Sequence, residues 1–230
     1  MRLVAVRLWA RFLGRVLRRP VAHLFHQDLI AATNNFGNTT WVGQPIWQNV
    51  LDLWVIQETI SELKPALLIE TGTNRAGSAL FYAHLMDLLG TGRVLTIDIV
   101  KLHEVEHPRV EFVIGSSTDA DVVERARAAA AEADGPVMVI LDGLHDGPHV
   151  AKELELYGPL VTPGSWLLSQ DGVIDRLEMF RDSRPGPLPA NRAFLEAHPE
   201  FEYDAERNER FLLTHHPLGW LRRRSDVASA

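Results

Sequence analysis

The chain has no cysteine among its 230 residues, so disulfides, zinc–thiolate centres and cysteine nucleophiles are excluded. It has no run of about 20 apolar residues and so no membrane-spanning helix is expected. The G-x-G-x-x-G dinucleotide fingerprint is missing: Gly72 and Gly77 are separated by Thr73-Asn74-Arg75-Ala76, and no glycine stands at 74. No Gly-Lys-Ser/Thr follows, which removes the phosphate-cradling P-loop as well. No Tyr-x-x-x-Lys pair is present to act as a reductase acid. A surplus of positive charge is also lacking. The net charge of -7 argues against a general nucleic-acid binder.

What the chain does have is Leu67-Leu68-Ile69-Glu70-Thr71-Gly72, an apolar run that stops at an acid and a glycine loop, followed by a helix opened near Ser78. Strands buried on both faces of a parallel sheet carry such unbroken apolar runs. At the carboxyl end of such a strand, a small-residue loop lets a ligand approach the backbone, and the following helix offers free N–H groups. Three more segments repeat the pattern. Arg93-Val94-Leu95-Thr96-Ile97 ends at Asp98, Val137-Met138-Val139-Ile140-Leu141 at Asp142, and Ser165-Trp166-Leu167-Leu168-Ser169 at Gln170-Asp171. Val110-Glu111-Phe112-Val113-Ile114 supplies a fifth strand, running into Gly115-Ser116-Ser117. Helical periodicity falls between them, at 51–63, 78–89, 121–133 and 149–160.

The prediction is an α/β fold, doubly wound around a mostly parallel sheet with helices on both faces. Ligands of such sheets bind at the carboxyl edge, where Glu70, Asp98, Asp142, Gln170 and Asp171 should converge. Asp98 follows Gly72 at a separation suited to an acid that holds ribose hydroxyls, which does not by itself separate one adenosine cofactor from another. Asp142, Gln170 and Asp171 form an oxygen-only set suited to Mg²⁺. Strand-end acids that merely cap helices or pair with arginines remain the plain alternative. His145, three residues past Asp142, falls over the same edge, where it could take a proton from a metal-bound hydroxyl. His149 is the rival base. His215-His216 shows no spacing of a ligand pair.

Residues 1–25 are expected to be a basic amphipathic extension, with Arg2, Arg7, Arg11, Arg15, Arg18 and Arg19 and no acid. It would dock on its own domain or a partner subunit, or touch a membrane surface peripherally through residues 1–19. Residues 26–230 are expected to form one domain. Within it, 26–47 reads as a turn-rich connector or a cover for the cleft, and 183–192 as a proline-rich loop that selects the substrate. A cytoplasmic location is consistent with the composition.

Several stretches together resemble the cephalosporin hydroxylase-type methyltransferases, a family that includes bacterial sugar O-methyltransferases. They are Leu51-Asp52-Leu53-Trp54, Ile69-Glu70-Thr71-Gly72-Thr73-Asn74-Arg75-Ala76-Gly77-Ser78, Thr96-Ile97-Asp98-Ile99, Leu141-Asp142 with His145, Gln170-Asp171, and Pro217-Leu218-Gly219-Trp220. The resemblance implies a Rossmann-like domain that binds S-adenosylmethionine and Mg²⁺, is commonly oligomeric, and methylates a saccharide or other small-molecule acceptor. It assigns Glu70, Gly72, Thr73, Ser78, Asp98, Ser117 and Asp142 to the cofactor. Asp142, Gln170 and Asp171 fall on the metal positions, and His145 on the general base. Two departures stand out. Position 170 is often Glu in the family, so Gln170 removes a charge from the metal set, and Ala76 occupies what is often a glycine. No His/His/carboxylate iron set with suitable spacing accompanies the word "hydroxylase". The competing expectations are a methyltransferase for a non-sugar metabolite, a nicotinamide oxidoreductase, and a cofactor-binding protein without catalysis.

Overall fold

A computed structural model describes residue 21 and residues 24–30 and 38–225. The basic extension expected over 1–25 therefore lies outside the described residues, apart from 21, 24 and 25. Among the described residues no helix is long and apolar enough to cross a membrane.

A small hairpin, β1 (Thr40–Trp41) and β2 (Gln44–Pro45), leads into helix α1 (Val50–Leu63). The side chain of Asn49 caps α1 by accepting from the Leu51 N–H at 3.1 Å, and Lys64 ends it in the left-handed region just before Pro65. The alternating core then follows: β3 (Leu67–Thr71), α2 (Gly77–Leu89), β4 (Arg93–Asp98), β5 (Val110–Ile114), α3 (Ala120–Ala131), β6 (Val137–Leu141), α4 (Gly147–Tyr157) and β7 (Trp166–Ser169). After two 3₁₀ turns come α5 (Pro187–Ala197), β8 (Phe201–Tyr203), α6 (Ala205–Glu209) and β9 (Trp220–Arg223).

The main sheet has seven strands in the order β5-β4-β3-β6-β7-β9-β8. The first five are mutually parallel. β9 runs antiparallel between β7 and β8, pairing Leu168 with Trp220 and Tyr203 with Leu221. The strand order reverses beside β3, whose neighbours are β4 and β6, and that switch point opens a crevice at the carboxyl edge.

The unbroken apolar run of β3 is explained by its two covered faces. Leu67 and Ile69 join one core with Val122, Ala126, Val150, Leu154 and Phe194, whereas Leu68 joins a second with Ile56, Ile60, Ala79, Tyr82 and Met86. Leu67, Leu68 and Ile69 are all fully buried. At about 1.5–3 kcal/mol for each buried aliphatic side chain, such positions anchor the layers.

The structure corrects several expected boundaries. Helix α2 opens at Gly77, after Ala76 has taken the left-handed conformation (φ 62°); Ser78 is inside the first turn rather than its cap. Helix α4 opens after Asp146, whose side chain accepts the His149 N–H at 3.3 Å, with Pro148 in the first turn. The stretch 187–192 is the start of α5 rather than a loop, and it buries Ala190, Asn191 and Phe194. Its entry is tied down where the Gly186 and Leu188 N–H groups donate to Asp175 at 2.8 and 2.9 Å. The short strands β8 and β9 carry too few residues for a periodicity to be read.

Gly72 has its reason in the sheet as well as in any ligand. Its φ is +91°, and a Cβ there would stand 2.0 Å from the Asp142 carbonyl oxygen. The loop after β3 is thus pressed against the end of β6. Gly72→Ala is expected to cost about 3 kcal/mol or more through overpacking and backbone strain; urea unfolding of the variant with an unchanged midpoint would contradict this.

Candidate active site

The crevice is a cavity of about 910 Å³. One end is built by the loop Thr71–Asn74, by Asp98 at the end of β4 and by Ser117 after β5; the other by Asp142, His145, Asp171 and the 3₁₀ turns that carry Val173, Ile174 and Phe180. Gly72, Thr73, Ser78, Asp98, Ser117, Asp142, His145 and Asp171, all expected from the sequence, line it together.

Glu70 and Gln170 do not. Both are buried at 2% exposure or less, and neither side chain borders the cavity. Glu70 accepts a 2.6 Å bond from the Thr96 hydroxyl, which in turn is 2.6 Å from the Thr73 hydroxyl. It lies under the glycine loop. Burial raises its pKa from 4.5 to about 7, with the Asp98 charge adding to the rise and the Ser78 and Thr96 hydroxyls opposing it.

Asp98 presents its carboxylate at the opposite end of the loop. It accepts from the Asn74 N–H at 2.8 Å and from the Val100 N–H at 3.3 Å. Asn74 (φ 47°) and Ala76 are both in left-handed conformations, which turns the loop tightly over the strand ends. Ser117 is held from α4: the Tyr157 hydroxyl donates to its carbonyl at 2.7 Å, and His149 Nε2 lies 3.1 Å from its Oγ. His149 is also 3.6 Å from the buried Glu153, which raises the imidazole pKa. These contacts commit His149 to the Ser117 end, leaving the acid cluster to His145.

Neighbouring strands β6 and β7 deliver Asp142 and Asp171. His145 Nε2 is 3.9 Å from Asp142 Oδ1 and 3.3 Å from Asp171 Oδ2. One potential ligand atom from each of the three residues lies within 4.8 Å of the others. Burial, followed by the charges of Asp171, Glu70 and Glu153, pushes the Asp142 carboxyl well above the ordinary range, against the pull of Gln48. Carboxylates crowded in this way have the electrostatics that a divalent cation relieves. The two carboxylates, with an imidazole within reach, therefore fit a hard divalent ion such as Mg²⁺ or Mn²⁺.

Two contributors escaped the sequence reading. Gln48, 3% exposed, donates from Nε2 to Asp142 Oδ2 at 2.6 Å. It follows the hairpin segment Pro45-Ile46-Trp47, which borders the cavity. This segment is seated on α2: a Cβ on Gly77 would stand 2.1 Å from the Pro45 carbonyl oxygen. The tail end of the turn-rich stretch thus covers the cleft. The second contributor is His215-His216. His215 borders the cavity, and Nδ1 of His216 accepts the Asp171 N–H at 3.0 Å. Neither had a local signal, because each reaches the site through long-range packing. The expected selector, 183–192, does not border the cavity; Val173, Ile174 and Phe180 do.

Residues 34–224 match the Rhamnosyl O-methyltransferase/CmcI family. The chain belongs to that family. It is 36% identical over 232 aligned positions to a rhamnosyl O-methyltransferase of Mycobacterium bovis, covering 94% of this chain and 91% of the relative. A rhamnosyl O-methyltransferase of Mycobacterium leprae is 32% identical over 194 positions, covering 82% and 85%. Among solved structures, CmcI with Mg and S-adenosylmethionine superposes with a TM-score of 0.62 at 20% identity, over 82% of this chain and 78% of that one. The mycinamycin-pathway methyltransferase MycE, solved with Mg and S-adenosylhomocysteine, gives a TM-score of 0.52 at 18% identity, over 76% and 49%. These last two show the shared fold. Within the Rhamnosyl O-methyltransferase/CmcI family the fold expected from the sequence, a Rossmann-like doubly wound sheet, is the fold observed.

The buried Glu70 makes a pH-dependent contribution. Its folded pKa lies above the unfolded value, so the native state binds the extra proton, and stability falls as pH rises from about 4.5 through about 7. The shift corresponds to about 3 kcal/mol. Glu70→Gln should flatten the decline in unfolding free energy between pH 5 and pH 8; parallel profiles for the two proteins would contradict the assignment.

Proposed function

We propose that the chain is an S-adenosylmethionine-dependent O-methyltransferase for a hydroxyl of a sugar or glycosylated natural product, assisted by Mg²⁺. One observation carries this reading. A single cavity has a hydroxyl-accepting carboxylate, Asp98, and a glycine loop at one end, and the Asp142/His145/Asp171 cluster at the other. Membership of the Rhamnosyl O-methyltransferase/CmcI family supports the reaction, and the names of its mycobacterial relatives support a deoxysugar acceptor.

In this reading the sulfonium donor supplies a methyl group and departs as a thioether. A divalent cation would lower the pKa of the acceptor hydroxyl. Asp98 receives the ribose hydroxyls, while Thr71–Asn74 and Ser78 line the path of the methionine end. Gly72 keeps that loop flat against β6. Asp142 and Asp171 would hold the cation, and the cavity would align the acceptor with the donor, on which direct displacement chiefly depends. His145, as a neutral imidazole, takes the hydroxyl proton as the oxygen–methyl bond forms. Trp47 and Phe180 provide apolar rings on the cavity wall, suited to the face of a saccharide. Gln170 is buried and off the cavity wall, so in this reading Asp142 and Asp171 are the protein ligands.

The proximity of His145 to both acids favours a second reading of it, as a third metal ligand. Borderline imidazole in place of an oxygen ligand would move the preference from Mg²⁺ towards Mn²⁺ or Zn²⁺.

One variant separates the two. His145→Ala is expected to lower turnover on a rhamnosyl glycoside by on the order of 10²- to 10⁴-fold, with S-adenosylmethionine and Mg²⁺ affinities by calorimetry within about twofold of the parent. Loss of Mg²⁺ affinity in parallel would favour the ligand role, and unchanged turnover would remove His145 from the chemistry. EDTA is expected to abolish methyl transfer by the parent protein. Persistent turnover in EDTA would overturn the metal part of the proposal, and calorimetric binding of NAD but not S-adenosylmethionine would overturn the whole.

A further inference from the structure

Two sequence features have no part in the chemistry described so far: Asp52, in the first turn of α1, and His216, in the turn before β9. They meet behind Asp171. Both are buried at 1% exposure, and His216 is absent from the cavity wall.

Asp171, two residues beyond the end of β7, is in the left-handed conformation, with φ 56°. A non-glycine residue there stores strain of about 1–2 kcal/mol, so the surroundings must hold it. The turn 215–219 does so through a series of bonds to the backbone of 169–173. Ser169 donates to the Gly219 carbonyl at 2.9 Å, Val173 to the His215 carbonyl at 3.0 Å, and Asp171 to Nδ1 of His216 at 3.0 Å. The fit is close. A Cβ on Gly219 would stand 2.2 Å from the Ser169 carbonyl oxygen.

The bond from Asp171 also fixes the state of the ring. Because Nδ1 accepts, the proton of the neutral imidazole is on Nε2. Nε2 faces Asp52 Oδ2 across 3.7 Å. Asp52 is itself anchored to the same turn: it accepts from the Thr214 hydroxyl at 2.6 Å and from the His215 N–H at 2.9 Å, and the Thr214 oxygen accepts the His216 N–H at 3.0 Å. Asp171 Oδ1 lies 3.7 Å from Nδ1 as well, so it is the Asp171 N–H on Nδ1 that selects the tautomer, and Asp52 is the carboxylate that the protonated Nε2 then faces.

We infer that Asp52 and His216 form a positioning pair, which holds the ring and thereby the backbone and carboxylate of Asp171 at the distance from Asp142 that one divalent cation needs. This inference rests on the metal reading above and adds residues that touch neither ion nor substrate. Partners of this kind, one shell behind the ligands, typically govern metal affinity by about 10–100-fold.

The test uses His216→Leu, which fills the buried volume without an acceptor, and His216→Asn, whose side-chain oxygen can still accept the Asp171 N–H. Mn²⁺ is the probe, titrated into the full chain by electron paramagnetic resonance, with S-adenosylmethionine affinity measured by calorimetry on the same samples. The leucine variant is expected to lose about tenfold or more in Mn²⁺ affinity while its S-adenosylmethionine affinity stays within about twofold, and the asparagine variant to recover most of the loss. Equal Mn²⁺ affinity in the leucine variant and parent overturns the inference, as does an asparagine variant no better than leucine. Should the leucine variant not fold, His216→Ala takes its place under the same criteria. If the parent chain itself binds no Mn²⁺, it is the metal reading that fails, and the pairing of Asp52 with His216 falls with it.

Discussion

Mutual repulsion among carboxylates is the constraint around which the site is built. The parallel sheet brings Asp142 and Asp171 to the same rim, and Glu70 and Glu153 add negative charge nearby. Burial makes each of these charges more expensive than it would be in water. Among the described contacts the chain responds with neutral partners rather than with lysine or arginine: Gln48 donates to Asp142 and Thr96 to Glu70, while the Asp171 backbone N–H donates to the His216 ring. Such donors hold acids in place without neutralising them. The charge is left available to a cation from outside, which an internal arginine would have displaced.

The same rim separates two tasks by distance along the sheet. Towards β5, Asp98 and the Ser116-Ser117 loop face the cavity with hydroxyl- and amide-binding groups. Towards β7, the acids and imidazole gather. The switch point at β3 lies between, where the strand order reverses and the crevice opens. Gly72 stands at this junction. Its missing side chain lets the β3 loop meet the β6 backbone, so the two halves of the cavity share one rigid floor.

The strands could be read from the chain because β3, β4, β6 and β7 are apolar until they end in polar residues, and that pattern is set by burial on both faces. The acids at their ends were legible for the same reason. Glu70 shows where the reasoning stops. Pattern places it at the rim, but whether the side chain points up to the cavity or down beneath the loop depends on Thr96, a neighbour 26 positions away. Gln48 and His216 were less accessible still. Their partners are 94 and 45 residues distant, and nothing in their immediate neighbours distinguishes them from other buried polar residues. The proline-rich stretch 183–192 misled in the other direction, since prolines at the start of α5 fit a helix's first turn as readily as a loop.

These long-range supports have a consequence for how the site forms. Asp142 and Asp171 belong to adjacent strands and approach one another as soon as the sheet pairs. Their supports come from the segment before α1 and the turn before β9, near opposite ends of the described chain. Gln48 reaches the Asp142 carboxylate from one side and His216 the Asp171 backbone from the other. Non-local contacts of this kind pay their loop-closure entropy last. A bound cation, which favours the closed arrangement of both acids, would stabilise the docking of both segments by mass action. Ion affinity and the seating of the two flanks would then be coupled, and groups that never touch the ion would contribute to how tightly it is held.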